Sequence, residues 1–205
     1  MGADAEANCN GVRVTGVVLA AGGATRMGGS KVTRLVGDRA MVARVVDAAL
    51  ASQLVDTIVV VGNEADRVRE LLRGRSVRVV YNADYAQGQS TSLKAGLQAV
   101  EKERDGALFL LADQPFVTSA LINRLIEAFA RSKKAIVRPA VAGRPANPVL
   151  MPARLFPELL EETGDRGGRG VIERHADDLC LLNVPDPLLC IDIDSPEDYE
   201  RARYK

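Results

Sequence analysis

The residues able to do chemistry in this chain gather in a few short segments, the richest being LAAGGATRMGGSK at 19–31. Glycines at 22, 23, 28 and 29 let backbone amides approach a ligand closely, and Arg26 and Lys31 add two cations. Together they make an anion site suited to a polyphosphate. Two better-known phosphate loops do not fit. GxGxxG has no place because the first two glycines are adjacent, and GxxxxGK[ST] would need a lysine where Gly29 stands. A second signal is Asp113 in LLADQPF, directly after a fully apolar run. In an open α/β sheet that position is the ligand-binding edge, where a carboxylate can hold Mg²⁺ against phosphate oxygens. It can also simply open a turn before Pro115. The third is Asp192 and Asp194 in CIDIDSPED, which a strand period of two turns to one face. Asp194 has a second explanation beside the cap of a final helix, and Asp192 has none.

Weaker candidates surround these. Asn82 ends an apolar run, so it also falls at the carboxyl edge, and Ser90 and Ser92 follow in NADYAQGQSTSLKAGL, as ligand contacts or as ordinary helix caps. GRPANPVL (143–150) and GDRGGRG (164–170) supply Arg144, Arg166 and Arg169, either for a second anionic substrate or as solvated surface charges.

The elements that must position these residues alternate. Runs at 14–21, 56–61, 77–81, 107–112 and 135–138 read as strands, and those at 14–21 and 107–112 are continuously apolar, as expected for strands buried on both faces. Helix-period stretches follow at about 40–52, 64–73, 92–102 and 118–131. Such βα alternation implies an α/β fold of three layers, with a mostly parallel sheet flanked by helices. After Pro139 the chain turns irregular. Leu189–Asp194 reads as a last strand before a helix capped by Ser195, with Pro196 first and Asp198 third. Residues 1–13 read as a loose tail, and 14–205 as one domain.

Composition removes several classes. Lys plus Arg equals Asp plus Glu, 27 each, so the basic footprint of a nucleic-acid or membrane-surface binder is missing. No apolar run approaches the roughly 18 residues of a membrane span. Three scattered cysteines suit neither a disulfide framework nor a CxxC metal knuckle. The single histidine, His175, excludes a His-rich metal site and reads as a surface or helix-end residue. The expectation is a reduced, cytoplasmic protein.

Taken in order, these motifs resemble the nucleotidyltransferases that activate the molybdenum cofactor, whose glycosyltransferase-A-like (Rossmann-like) fold opens with LA(A/G)GxxxRMG followed by Lys. LAAGGATRMGGSK, DYAQG…TSLKAG, LADQP and DIDSPED carry the resemblance over residues 14–203. The last three look like the cytidylyltransferase branch. LAAG, where the guanylyl branch has LAGG, leans towards CTP over GTP. The resemblance implies that Leu19, Ala20, Ala21, Gly22 and Gly23 wrap the nucleotide base and phosphates, with Asn82 and Ser92 also at the nucleotide. Arg26 and Lys31 would neutralise the triphosphate, Asp113 would be the main Mg²⁺ ligand, and Asp192 the second. Relatives have Gly-His-Pro where this chain has Ala146-Asn147-Pro148, a departure that bears on the acceptor.

The implied reaction is transfer of CMP from CTP to the terminal phosphate of molybdopterin, with release of pyrophosphate. A molybdoenzyme or its chaperone would receive the product. GTP on the same acceptor, a sugar phosphate or other small phosphate as acceptor, and a non-catalytic cofactor carrier are the competing expectations.

Overall fold

The computed structural model describes residues 11–22, 31–132 and 135–204. The chain runs β1 (Val14–Ala20), β2 (Leu35–Val36), β3 (Arg39–Ala40), α1 (Met41–Leu50), β4 (Asp56–Val61), α2 (Ala65–Leu71), β5 (Arg78–Tyr81) and α3 (Gln89–Gln98). It continues β6 (Gly106–Leu111), α4 (Ser119–Arg131), β7 (Ile136–Val141), β8 (Arg144–Pro145), β9 (Val149–Pro152) and α5 (Phe156–Glu161). α6 (Arg169–Arg174), β10 (Leu179–Asn183) and α7 (Pro196–Ala202) complete it.

β1 is apolar on both faces because it is central in both directions. It pairs in parallel with β4 (Leu19↔Val60) and with β6 (Leu19↔Leu111). The sheet order is β10-β7-β9-β6-β1-β4-β5, with β8 on β7. β9 and β8 run antiparallel to their neighbours, and the other pairings are parallel. The mostly parallel sheet expected from the alternation is therefore present. The order reverses at β1, since the chain builds outward to β4 and β5 and then returns to lay β6 on the other side. Such a reversal opens a crevice at the carboxyl ends of the strands.

The faces of β1 sort by residue parity. Val14, Val18 and Ala20 join residues of α1, α2 and α4 in one core, while Val17 and Ala21 join α3, α5 and α6 in the other. Helices thus cover both faces, giving three layers. α3 lies unusually close to the sheet: a Cβ on Gly96 would come within 2.4 Å of a Val17 methyl and 2.9 Å of a Val60 methyl. Both are stiff β-branched side chains. Gly96→Ala is expected to cost about 1–3 kcal/mol through overpacking, although Ala favours helix, and denaturant unfolding measures it.

Two expectations need correction. The strand at 135–138 runs on through Pro139, whose missing N–H falls beyond the Val137↔Leu150 pair joining β7 to β9. Leu189–Asp194 is not a strand. Asp186 caps a tight turn by accepting from Leu188 N at 2.9 Å, and Pro187 opens it, so Leu188–Cys190 are wound up. The place beside β7 is filled by β10 instead. The expected cap of the last helix is as read, with Ser195 and Asp198 forming a reciprocal capping box.

Candidate active site

The loops after β1, β4, β5 and β6 emerge on one edge because those strands are parallel and in register. Ala112 N donates to Leu19 O at 3.2 Å and Asn82 N to Val61 O at 2.8 Å, so the segments beyond the strands begin level with one another. Asp113 therefore stands near Ala21 and Gly22, which directly follow β1. The Asp192–Asp194 segment reaches the same place without a sheet ladder. It is extended, Ile193 N donates to Asp113 O at 3.0 Å, and Ile193 is buried with Val36, Met41, Phe116 and Ala202. With Ile193 turned inward, Asp192 and Asp194 turn out beside Asp113. The expected shared face holds, though the strand does not.

Lys31 occupies the centre of this acidic group. Its Nζ lies 2.6 Å from Asp113 Oδ2 and 2.5 Å from Asp194 Oδ1. Burial works against the ammonium, but the charges and hydrogen bonds of Asp113 and Asp194 win, and its pKa is raised. The other oxygen of Asp113, Oδ1, is buried with no hydrogen-bond partner among the described residues. Asp192 is held by Gln114 Nε2 at 2.9 Å, and Gln114 also donates to Cys190 O. Burial, then the charges of Asp113 and Asp194, push the Asp192 carboxyl up to about 6 against the Gln114 hydrogen bond.

These features fit a divalent cation. A partnerless buried carboxylate oxygen and a carboxylate whose ionisation is suppressed by its neighbours are both relieved by one, and the ammonium between Asp113 and Asp194 marks where positive charge is favoured. No described group of three or more His, Cys, Asp and Glu is arranged to hold a metal alone. Phosphate oxygens would complete the shell, as is common for Mg²⁺.

The raised pKa has a consequence for stability. An unfolded Asp titrates near about 3.9, so ionisation of Asp192 opposes folding as pH rises from about 4 to about 6, and the whole penalty is felt above that window. Asp192→Asn is expected to stabilise the metal-free protein at pH 8 by about 1 kcal/mol, discounted for partial exposure, and to weaken its Mg²⁺ response. Below about pH 4 the gain disappears. Denaturant unfolding at the two pH values checks both statements.

Two cavities meet at Leu19, Gln89, Leu111 and Asp113. One, of about 550 Å³, is bounded by Ala21, Gly22, Lys31, Tyr85 and Ser92, the side of the β1 loop. The other, about 290 Å³, takes in Asp192 and Asp194 and extends to Arg138, Asn147, Arg166 and Arg169 over an apolar floor. Both cavities thus reach Asp113.

Of the expected residues, Leu19, Ala21, Gly22, Lys31, Ser92 and Asp113 border the first cavity, and Leu19, Asp113 and Asp192 the second. Ala20 packs into the core beneath. Gly23 and Arg26 lie outside the described residues. Asn82 borders neither cavity. It is buried, its amide donates to Thr91 Oγ1 at 2.9 Å and Ser92 Oγ at 3.0 Å, and its oxygen accepts from Asp84 N. Asn82 therefore holds the start of α3. That helix is capped at Gly88, whose φ of 119° and packing against Gly164 and Asp165 leave no room for a side chain. Ser90 and Ser92 accordingly sit inside its first turns instead of capping it. His175 ends α6 with Nε2 2.8 Å from Glu158, bordering neither cavity. Arg138 and Gln114 escaped the sequence reading. A lone cation inside the apolar run of β7 is the signal that marks Arg138.

No described helix is long and apolar enough to cross a membrane. Comparison with known proteins adds relatives. The Bifunctional protein GlmU of Symbiobacterium thermophilum is 36% identical over 117 residues, but the match covers 56% of this chain and only 25% of that protein. The nicotine blue oxidoreductase of Paenarthrobacter nicotinovorans is 26% identical over 196 residues, covering 92% of this chain and 95% of that one. The crystal structure of Rv0371c from Mycobacterium tuberculosis in complex with manganese superposes with a TM-score of 0.80 at 27% identity, covering 94% of this chain and 98% of the other. The model for the MobA-like NTP transferase domain matches residues 16–179, which include the β1 loop, Lys31 and Asp113. With the sheet reversal at β1 and the acidic edge beside it, this match makes the chain a member of the MobA-like nucleotidyltransferase family.

Proposed function

We propose that this protein transfers the cytidylyl group of CTP to the terminal phosphate of the molybdenum cofactor, releasing pyrophosphate. The observation that carries nucleotidyl transfer is the Lys31–Asp113–Asp194 cluster standing where the two cavities meet. The choice of CTP and of molybdopterin is supported by the LAAG, DYAQG…TSLKAG and DIDSPED motifs.

In this reading Leu19–Gly23, Ser92 and Lys31 receive the nucleotide, joined by Arg26, with Asn82 setting the α3 turn beneath it. Asp113 and Asp192 would hold Mg²⁺, and the manganese complex of the Rv0371c relative supports a divalent metal. Mg²⁺ supplies charge neutralisation at the α-phosphate and a template for in-line displacement. Lys31 is on a flexible stem, so its ammonium can turn from the carboxylates to the polyphosphate. An acceptor phosphate oxygen attacks the α-phosphorus, a new P–O bond forms, and the bond to the bridging oxygen breaks to release pyrophosphate. The attacking oxygen is already ionised and requires no side-chain base, in keeping with a histidine that borders neither cavity. Gln114 and Ile193 position Asp192. The product, a dinucleotide form of the cofactor, would pass to a molybdoenzyme or its chaperone.

Asn147 in place of the relatives' histidine lines the acceptor-side cavity, and this favours keeping a second acceptor class in play, a sugar phosphate or other small phosphate. The test is pyrophosphate release with Mg²⁺ and each of the four NTPs, with and without molybdenum cofactor. CTP-selective release that requires the cofactor is expected. GTP selectivity would move the protein to guanylyl transfer, release with sugar phosphates would replace the acceptor, and nucleotide binding without release would leave a carrier.

A further inference from the structure

The acceptor-side cavity contains three arginines that the nucleotide chemistry does not use, and two of them stand without a carboxylate partner among the described residues. Arg138 rises from the middle of β7, an otherwise apolar strand, and is half-buried. Its Nε donates to Ala146 O at 2.9 Å, which fixes the loop carrying Asn147. Neither Arg138 nor Arg169 has a carboxylate partner among the described residues. Burial lowers the pKa of Arg138, and the charge of Arg169 lowers it further. A half-buried cation that gains no anion costs stability, and a second cation beside it adds to the cost.

The other arginines of this region do not share that situation. Arg166 borders the cavity but is paired with Glu173 at 2.7 and 2.8 Å. Arg144 is exposed and borders a different groove, with Asp186. The floor under Arg138 and Arg169 is apolar, made by Phe109, Val149, Met151 and Ile172.

We infer that Arg138 and Arg169 form a two-arginine clamp for a phosphomonoester dianion carried on an apolar or aromatic body, in the cavity that shares Asp113 with the nucleotide side. Guanidinium forks match phosphate oxygens in pairs, and a dianion relieves both charges together. The clamped group is the acceptor phosphate if the proposed transfer is right, and to that extent the inference rests on that reading. The clamp itself is open to test without turnover.

Phenyl phosphate, titrated calorimetrically into the full chain at low salt and without metal, is the probe, with phenol and benzoate as controls. Phenyl phosphate is expected to bind more tightly than benzoate, and phenol not to bind. Arg138→Gln and Arg169→Gln should each weaken phenyl phosphate by roughly ten-fold or more, the scale of a lost charge-assisted pair. Arg138→Lys should recover part of that loss. The thermal midpoint of Arg138→Gln should equal or exceed that of the parent, separating lost binding from lost fold, and CTP–Mg²⁺ binding should be unchanged. No binding of phenyl phosphate, equal binding by the glutamine variants, or displacement by CTP would each overturn the clamp. A clamp that behaves as expected in a protein that releases no pyrophosphate from any NTP would overturn only the transferase reading.

Discussion

Asp113→Asn is expected to lower pyrophosphate release by about 10³-fold, or ~4 kcal/mol of transition-state stabilisation, while leaving the fold intact. The side chain keeps its shape, so Ile193 N still has its acceptor on the Asp113 backbone and Lys31 still has Asp194. What is lost is the negative charge on the buried oxygen that no described group satisfies. A structural role would show as a fall in thermal midpoint with modest loss of rate. The expected result is the reverse, a midpoint within a few degrees of the parent and nearly no turnover. Retention of most of the rate would remove Asp113 from the chemistry.

Lys31→Met has the second-largest effect, and its signature is different. In the free protein the ammonium neutralises Asp113 and Asp194 and thereby eases Asp192 as well. Removing it leaves three carboxylates together in a partly buried crevice. The metal-free variant is expected to lose about 1–3 kcal/mol of stability, short of the cost for a fully buried pair. Mg²⁺ should restore more stability to the variant than it adds to the parent, since bound cation now replaces the missing charge. Turnover should nevertheless fall about 10²-fold, because the grip on the polyphosphate is gone. Thermal unfolding against Mg²⁺ concentration, alongside pyrophosphate release, measures both effects. Equal Mg²⁺ responses in the two proteins would contradict the neutralising role.

Much of this arrangement was legible in residues alone, for identifiable reasons. β1 and β6 are central, so both faces are buried and the runs are unbroken. Their ends, and hence the places of Gly22 and Asp113, could be read directly. Asp192 stood out as a carboxylate in apolar surroundings with no capping duty. Arg138 carries the same signal in cationic form, yet Pro139 truncates the apparent strand and makes the arginine look terminal. The period of two at 189–194 misled, because an extended segment pinned by Ile193 shows the same alternation as a strand without having a ladder. Ser90 and Ser92 looked like caps, whereas Gly88 begins α3, a choice set by the approach of Gly164 and Asp165 from far along the chain. The Lys31–Asp194 contact, across 163 positions, exists only once the fold is formed.

In the proposed function Asp113 and Asp192 hold a divalent cation together with the phosphates of a nucleotide. Electron paramagnetic resonance of Mn²⁺, titrated with and without a non-hydrolysable CTP analogue, tests it most directly. One protein-bound Mn²⁺ is expected, whose affinity rises when the nucleotide is present and whose nucleotide-dependent signal is lost in both Asp113→Asn and Asp192→Asn. Mn²⁺ bound equally well by the parent and both variants, with the nucleotide making no difference, would contradict it.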